Sequence, residues 1–162
     1  MKLKGTMKLA NHMDKFLRPF GVTSFLGKEF AYHPVTEEVQ FTVFMTERID
    51  RLFAKFISDT FNYEVTDMFL ISILHEVGHH VTLDDFEDEE LNDEWKRKSR
   101  IEWELDDSNY DEKMMEYFNL PSERAATAWA VSYMRAHEEE VNRRWRVMLQ
   151  HFRHFYKRNF VR

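Results

Sequence analysis

From Ser122 to Arg162 the sequence contains neither Gly nor Pro, and no other feature restricts the fold as strongly. Nothing in that stretch frees or breaks a helical backbone. Ala126, Trp129, Ala130, Tyr133 and Met134, then Val141, Trp145, Met148, Leu149, Phe152 and Phe155, recur at helical intervals. The spacing predicts one long helix after Pro121, or two joined near His137-Glu138-Glu139-Glu140. Its last part, residues 141–160, is a basic helix: from Val141 to the end there are six Arg, one Lys and no acid.

Upstream, Leu9, Met13, Phe16, Leu17 and Phe20 share a helical face, and Gly21 supplies a stop. Residues 28–34 and 39–45 are short and rich in aromatic and β-branched residues. They suit an antiparallel hairpin with Pro34 at its corner, and residues 22–26 add a third strand. Ile49, Leu52, Phe53, Phe56 and Ile57 mark an amphipathic helix over 46–61. A second helix starts at Thr66 as N-cap, with Asp67 in its first turn, and runs to about Val81. Residues 94–105 and 110–118 read as short surface helices. The expected class is α+β, mostly helical with a small antiparallel sheet. With 162 residues, 43% of them hydrophobic, the chain is long enough for one real core and short for two, so a single domain over 1–162 is expected.

Residues 84–94 carry eight acids in eleven positions, and the stretch 84–118 reads as an acidic insertion whose charge could attract the basic C-terminal helix. Cysteine is absent, so disulfides and thiolate metal sites are excluded, and any metal falls to histidine and carboxylate. The N-terminal residues are basic without an apolar stretch, and no window approaches a membrane span. The chain reads as soluble, unexported and cytoplasmic, with no membrane partner.

The segment Leu74-His75-Glu76-Val77-Gly78-His79-His80 carries the chemistry. Four residues apart on a helix, His75 and His79 lie one turn apart on one face, where both imidazoles can bind one zinc ion with Glu76 beside the open coordination position. The segment closes a strongly apolar helix, where unpaired polar groups are costly to bury. Gly78, poor in a helix, leaves room for a close neighbour. A catalytic zinc needs a third protein ligand. Position 85, where an extended motif would place another histidine, is Asp. The better candidate is Glu123, which opens the helix after Pro121 and is followed on its face by Ala126, Thr127 and Ala130, all small enough for close packing. Asp85, Glu102 and Glu104 remain rival ligands.

Together, "HEVGHH" and a later helix of the form Glu-x-x-Ala-x-x-x-Ala, here Glu123 to Ala130, resemble the minimal gluzincins of the ImmA/IrrE type, including phage-encoded relatives. The resemblance covers residues 66–82 and 121–135. It implies a zincin-like domain, Zn2+ held by His75, His79 and Glu123, a polar Thr127 after the alanine, and a protein or peptide substrate. The forty-three residues between His79 and Glu123 are more than that family leads one to expect, and the excess is the acidic insertion. No helix-turn-helix domain accompanies the motif. The implied enzyme is a zinc metallopeptidase with Glu76 as general base. Tyr32, His33, Tyr110 and Tyr117 are candidates to stabilise an oxyanion, and His80 could stand behind the ligands or on the surface. The alternative is an inactive zincin-fold protein, or a binding module using the basic, aromatic C-terminal helix. An acidic chain, net charge -6, argues against nucleic acid.

Overall fold

A computed structural model describes residues 3–43 and 46–160, with the side chains of 3–8, 152 and 154–160 outside the description. The side chains of Phe152 and Phe155 of the apolar stripe, and of Lys157 and Arg158 of the basic run, therefore lie outside the description, as does Arg162. The architecture is α+β and mostly helical, as expected, and the chain divides into two compact units: Met1–Phe44 with Ser132–Arg162, and Met45–Val131.

In the first unit, helix α1 (Leu3–Leu17) buries Leu9, Met13, Phe16 and Leu17, each at most 3% exposed. The expected continuation to Phe20 fails as an α-helix and becomes a 3-10 turn, Arg18–Phe20. Pro19 is the cause: it has no N–H and its ring crowds the carbonyl one turn back. Gly21 then stops the chain at φ 78, a left-handed conformation that glycine adopts without penalty. The strands are β1 (Thr23–Leu26), β2 (Ala31–His33) and β3 (Glu38–Phe41), in the order β1-β3-β2. β2 and β3 form the expected antiparallel hairpin, with Tyr32 opposite Val39. β1, however, pairs parallel to β3, so the sheet is mixed. β3, at the centre, is the most buried of the three, with Val39 and Phe41 both fully buried. Asp14 fastens α1 to β1 by accepting from Ser24 N (2.6 Å) and Ser24 Oγ (2.7 Å).

The final helix, α6 (Pro121–Phe160), begins in the second unit and continues into the first. His137, at φ -131 and ψ 23, breaks its regularity where the sequence placed a junction. Beyond the break, Trp145 is 2% exposed and packs edge-on against Phe16, 5.0 Å between ring centroids. Arg144 lies over the same Phe16 ring, and its guanidinium donates to the Phe16 carbonyl.

The second unit is helical. α2 (Glu47–Phe61) buries Leu52, Phe53, Phe56 and Ile57 and is closed by Asn62 in the left-handed region. α3 (Met68–Thr82) is capped by Asp67, whose carboxylate accepts from Leu70 N at 2.9 Å. Asp67 thus takes the role expected of Thr66, because a carboxylate is the stronger acceptor for the helix's orphan N–H groups. From Phe69 to Gly78 every residue of α3 is buried, which makes it a core helix. α4 (Asp88–Glu104) starts inside the acid run, with Glu90 accepting from Glu87 N at 2.9 Å, so these acids sit at a helix N-terminus and favour it. α5 (Tyr110–Phe118) places Phe118 against Phe53 and Phe56, 5.1 and 5.6 Å between centroids. No described helix is long and apolar enough to cross a membrane.

α3 and α6 approach each other closely at Gly78. A Cβ added at Gly78 would stand 2.8 Å from both the Cα and the carbonyl carbon of Ala126, and closer still to its oxygen. Backbone atoms cannot step aside as a flexible side chain can. Gly78→Ala is therefore expected to cost about 1–3 kcal/mol or more; urea unfolding followed by circular dichroism measures it, and a loss under 0.5 kcal/mol would contradict this packing.

Candidate metal centre

The histidines of α3 and the first turns of α6 meet on either side of that contact. His75 Nε2 lies 3.1 Å from Glu123 Oε2 and 3.2 Å from His79 Nε2, and His79 Nε2 lies 3.4 Å from Glu123 Oε2. His75 and Glu123 are buried and His79 is half-buried. Among the described residues, these three form a group that could hold a metal ion.

Hydrogen bonding fixes how His75 faces this group. Thr127 Oγ1 donates its only proton to the Glu123 carbonyl, 2.8 Å away, as hydroxyls on helices often do one turn back. Toward His75 Nδ1, at 3.0 Å, it can then only accept. His75 consequently carries its proton on Nδ1 and turns the Nε2 lone pair toward His79 and Glu123. Three electron-rich atoms face one another at hydrogen-bond distance. A proton can bridge two of them; a metal ion satisfies all three.

Glu123 is ionised. Burial by itself raises its carboxyl, but when a proton lies between the rings and Oε2, hydrogen bonding and charge from His75 and His79 outweigh burial and hold it well below the ordinary carboxylate range. Its other oxygen, Oε1, receives the ammonium of Lys98 from α4. Burial pulls that ammonium down, yet Glu123 and Glu94 more than compensate, and Lys98 stays charged with its pKa above the ordinary lysine value. Glu94, only 6% exposed, accepts from Ser122 N at 2.8 Å and from the Ser122 hydroxyl. The ring of Tyr117 on α5 lies under Lys98, 5.5 Å from Nζ. Burial first, then the charges of Glu123, Glu76 and Glu102, drives the Tyr117 phenol far above its ordinary value, so it remains protonated and hydrogen-bonds Glu123.

Glu76 follows His75 on α3 and is 7% exposed. Of the rival carboxylates, Asp85 and Glu102 are exposed, and Glu104 pairs with Lys113 at 2.5 Å. Tyr110 stacks under Arg48, 4.3 Å from its guanidinium carbon. Tyr32 and His33 belong to β2 in the first unit. His80, half-buried, is outside the converging trio. Of the two candidates in this unit, Tyr117 is the one that the fold brings to Glu123. Lys98 and Glu94 escaped the sequence reading. The signal available was their spacing, an acid four residues before a lysine on one helix, which ordinarily marks a solvated pair.

No protein-family model, curated protein or solved structure matches this chain.

One divalent metal ion per chain is expected on native mass spectrometry after loading, and none with His75→Ala or His79→Ala. Thr127→Val keeps the shape but removes the acceptor that orients His75, and is expected to weaken metal binding 10–100-fold.

Proposed function

We propose that this protein is a zinc-dependent peptidase of the gluzincin type, resembling the minimal ImmA/IrrE-type enzymes. The observation that carries the reading is the convergence of His75 Nε2, His79 Nε2 and Glu123 Oε2 within 3.1–3.4 Å of one another, with Glu76 next to His75 on the same buried helix. Two imidazoles and a carboxylate suit zinc, and three protein ligands leave one position open. The spacing fits as well: zinc bonds of about 2.0–2.1 Å in a tetrahedron imply ligand atoms roughly 3.3 Å apart.

When bound, zinc lowers the pKa of a water molecule and polarises the carbonyl to be cleaved. The rest falls to the chain. Glu76 accepts the proton of the attacking water and passes it to the departing amine. Thr127 and Glu123 keep the His75 tautomer and ring orientation. Tyr117, neutral, would serve the oxygen where negative charge develops only by turning its single O–H away from Glu123. A protein or peptide is the substrate class.

The test separates ligand from base. Glu76→Gln is expected to retain zinc and lose zinc-dependent cleavage of a mixed peptide library by 10²-fold or more, since an amide cannot take the proton. Glu123→Ala is expected to lose zinc, whereas Glu102→Ala and Glu104→Ala keep it. Undiminished cleavage by Glu76→Gln would rule out the proposed base; loss of zinc in either control but not in Glu123→Ala would rule out the ligand.

A further inference from the structure

We infer that Lys98, anchored by Glu94, is a positioning residue that ties up the outer oxygen of Glu123 and so presents this ligand to the metal through Oε2 alone. The inference rests on the metal reading of the trio above and is independent of whether peptides are cleaved. A carboxylate at a metal can bind through one oxygen or two. Here the two oxygens have different partners: Oε2 faces the histidine pair, and Oε1 meets the Lys98 ammonium. With Oε1 engaged, the position it would take at the metal is left to a water or a substrate oxygen.

Lys98 is held to that task from its other side. Its Nζ lies 3.3 Å from Glu94 Oε1, and Glu94 also accepts from the backbone and hydroxyl of Ser122, the residue preceding Glu123. One carboxylate therefore fixes both the lysine and the backbone that carries the ligand. A buried ion pair is costly to desolvate unless its remaining donors and acceptors are satisfied. These are: Lys98 spans two carboxylates and lies over the Tyr117 ring, and Glu94 uses both oxygens. The acidic stretch that lengthens the chain between His79 and Glu123 thus supplies part of the site's support, through the one face of α4 that carries Glu94, Lys98 and the buried Ile101.

The experiment is zinc titration against a chromophoric chelator, with cobalt(II) absorption as a second readout. The key variant is Lys98→Met/Glu94→Gln, which removes one positive and one negative charge together, so local net charge is unchanged and any effect reports positioning. Zinc affinity is expected to fall 10–100-fold, and the visible cobalt band to weaken as Glu123 gains a second bond to the metal. Lys98→Arg, which keeps a cation and N–H donors, is expected to recover most of the affinity, and Lys96→Met, on the exposed side of α4, to match the parent. Circular dichroism of the metal-free proteins checks folding. Should the double variant not fold, Glu94→Gln alone, which removes the anchoring charge and keeps one oxygen to accept from Ser122 N, is held to the same criterion. Affinity within twofold of the parent with an unchanged cobalt band would overturn the role of Lys98 and leave the metal site standing. A parent chain that binds neither zinc nor cobalt would overturn both.

Discussion

The second unit depends on a single missing side chain. At Gly78 the backbones of α3 and α6 approach so closely that a methyl group would collide with Ala126. The four polar residues of the site are placed symmetrically about that contact. His75 and His79 stand three residues before and one after Gly78; Glu123 and Thr127 stand three before and one after Ala126. In a helix the two members of each pair lie one turn apart on one face, both to the same side of the contact residue. Close approach of two backbones and convergence of four functional side chains are therefore one geometric fact. A bulkier crossing would widen the separation of ligand atoms from hydrogen-bond distance to something no single ion could span.

Such a crossing puts several polar groups where water is scarce, and the surrounding network answers for each. Ser72, His75, Glu76 and Thr82 are all buried on α3. Thr82 donates to the Gly78 carbonyl at 2.9 Å, and Thr127 relays between the Glu123 backbone and the His75 ring. No buried side-chain polar atom among the described residues is without a hydrogen-bond partner. The network's asymmetry matters: acidic groups outnumber cations near the histidines, and Lys98 is the cation that enters from α4. Glu123 also stands in the first turn of α6, where the helix dipole favours a negative charge.

Much of this was legible in the sequence, where short-range periodicity and local chemistry decide. The buried stripe of α2, the span of α5 and the break near His137 follow from spacing alone. Glu123 was singled out because its helix face continues in small residues, an argument about packing that the Gly78 contact makes concrete. What stayed hidden depends on tertiary context. Glu94 and Lys98 lie in a stretch so charged that solvent is the natural expectation; only the arrival of Ser122 and Glu123 makes burial tolerable for them. The parallel pairing of β1 was equally unreadable, since a strand's residues do not state which neighbour it will find. The apolar pattern of α1 runs on to Phe20 through Pro19, a residue that cannot continue the helix.

The distance along the chain between the two halves of the site has a kinetic meaning. The histidines and Glu123 are joined by residues 80–122, and that connection is itself folded into α4 and α5. Bringing the ends of a long flexible segment together is entropically slow, but a segment already coiled into helices is shorter and stiffer, and its ends have fewer places to be. Glu94 and Lys98 bond to Ser122 and Glu123 from within that segment, so the connection itself fastens the start of the last helix. The site's two halves are thus joined by a connection that also holds one of them in place.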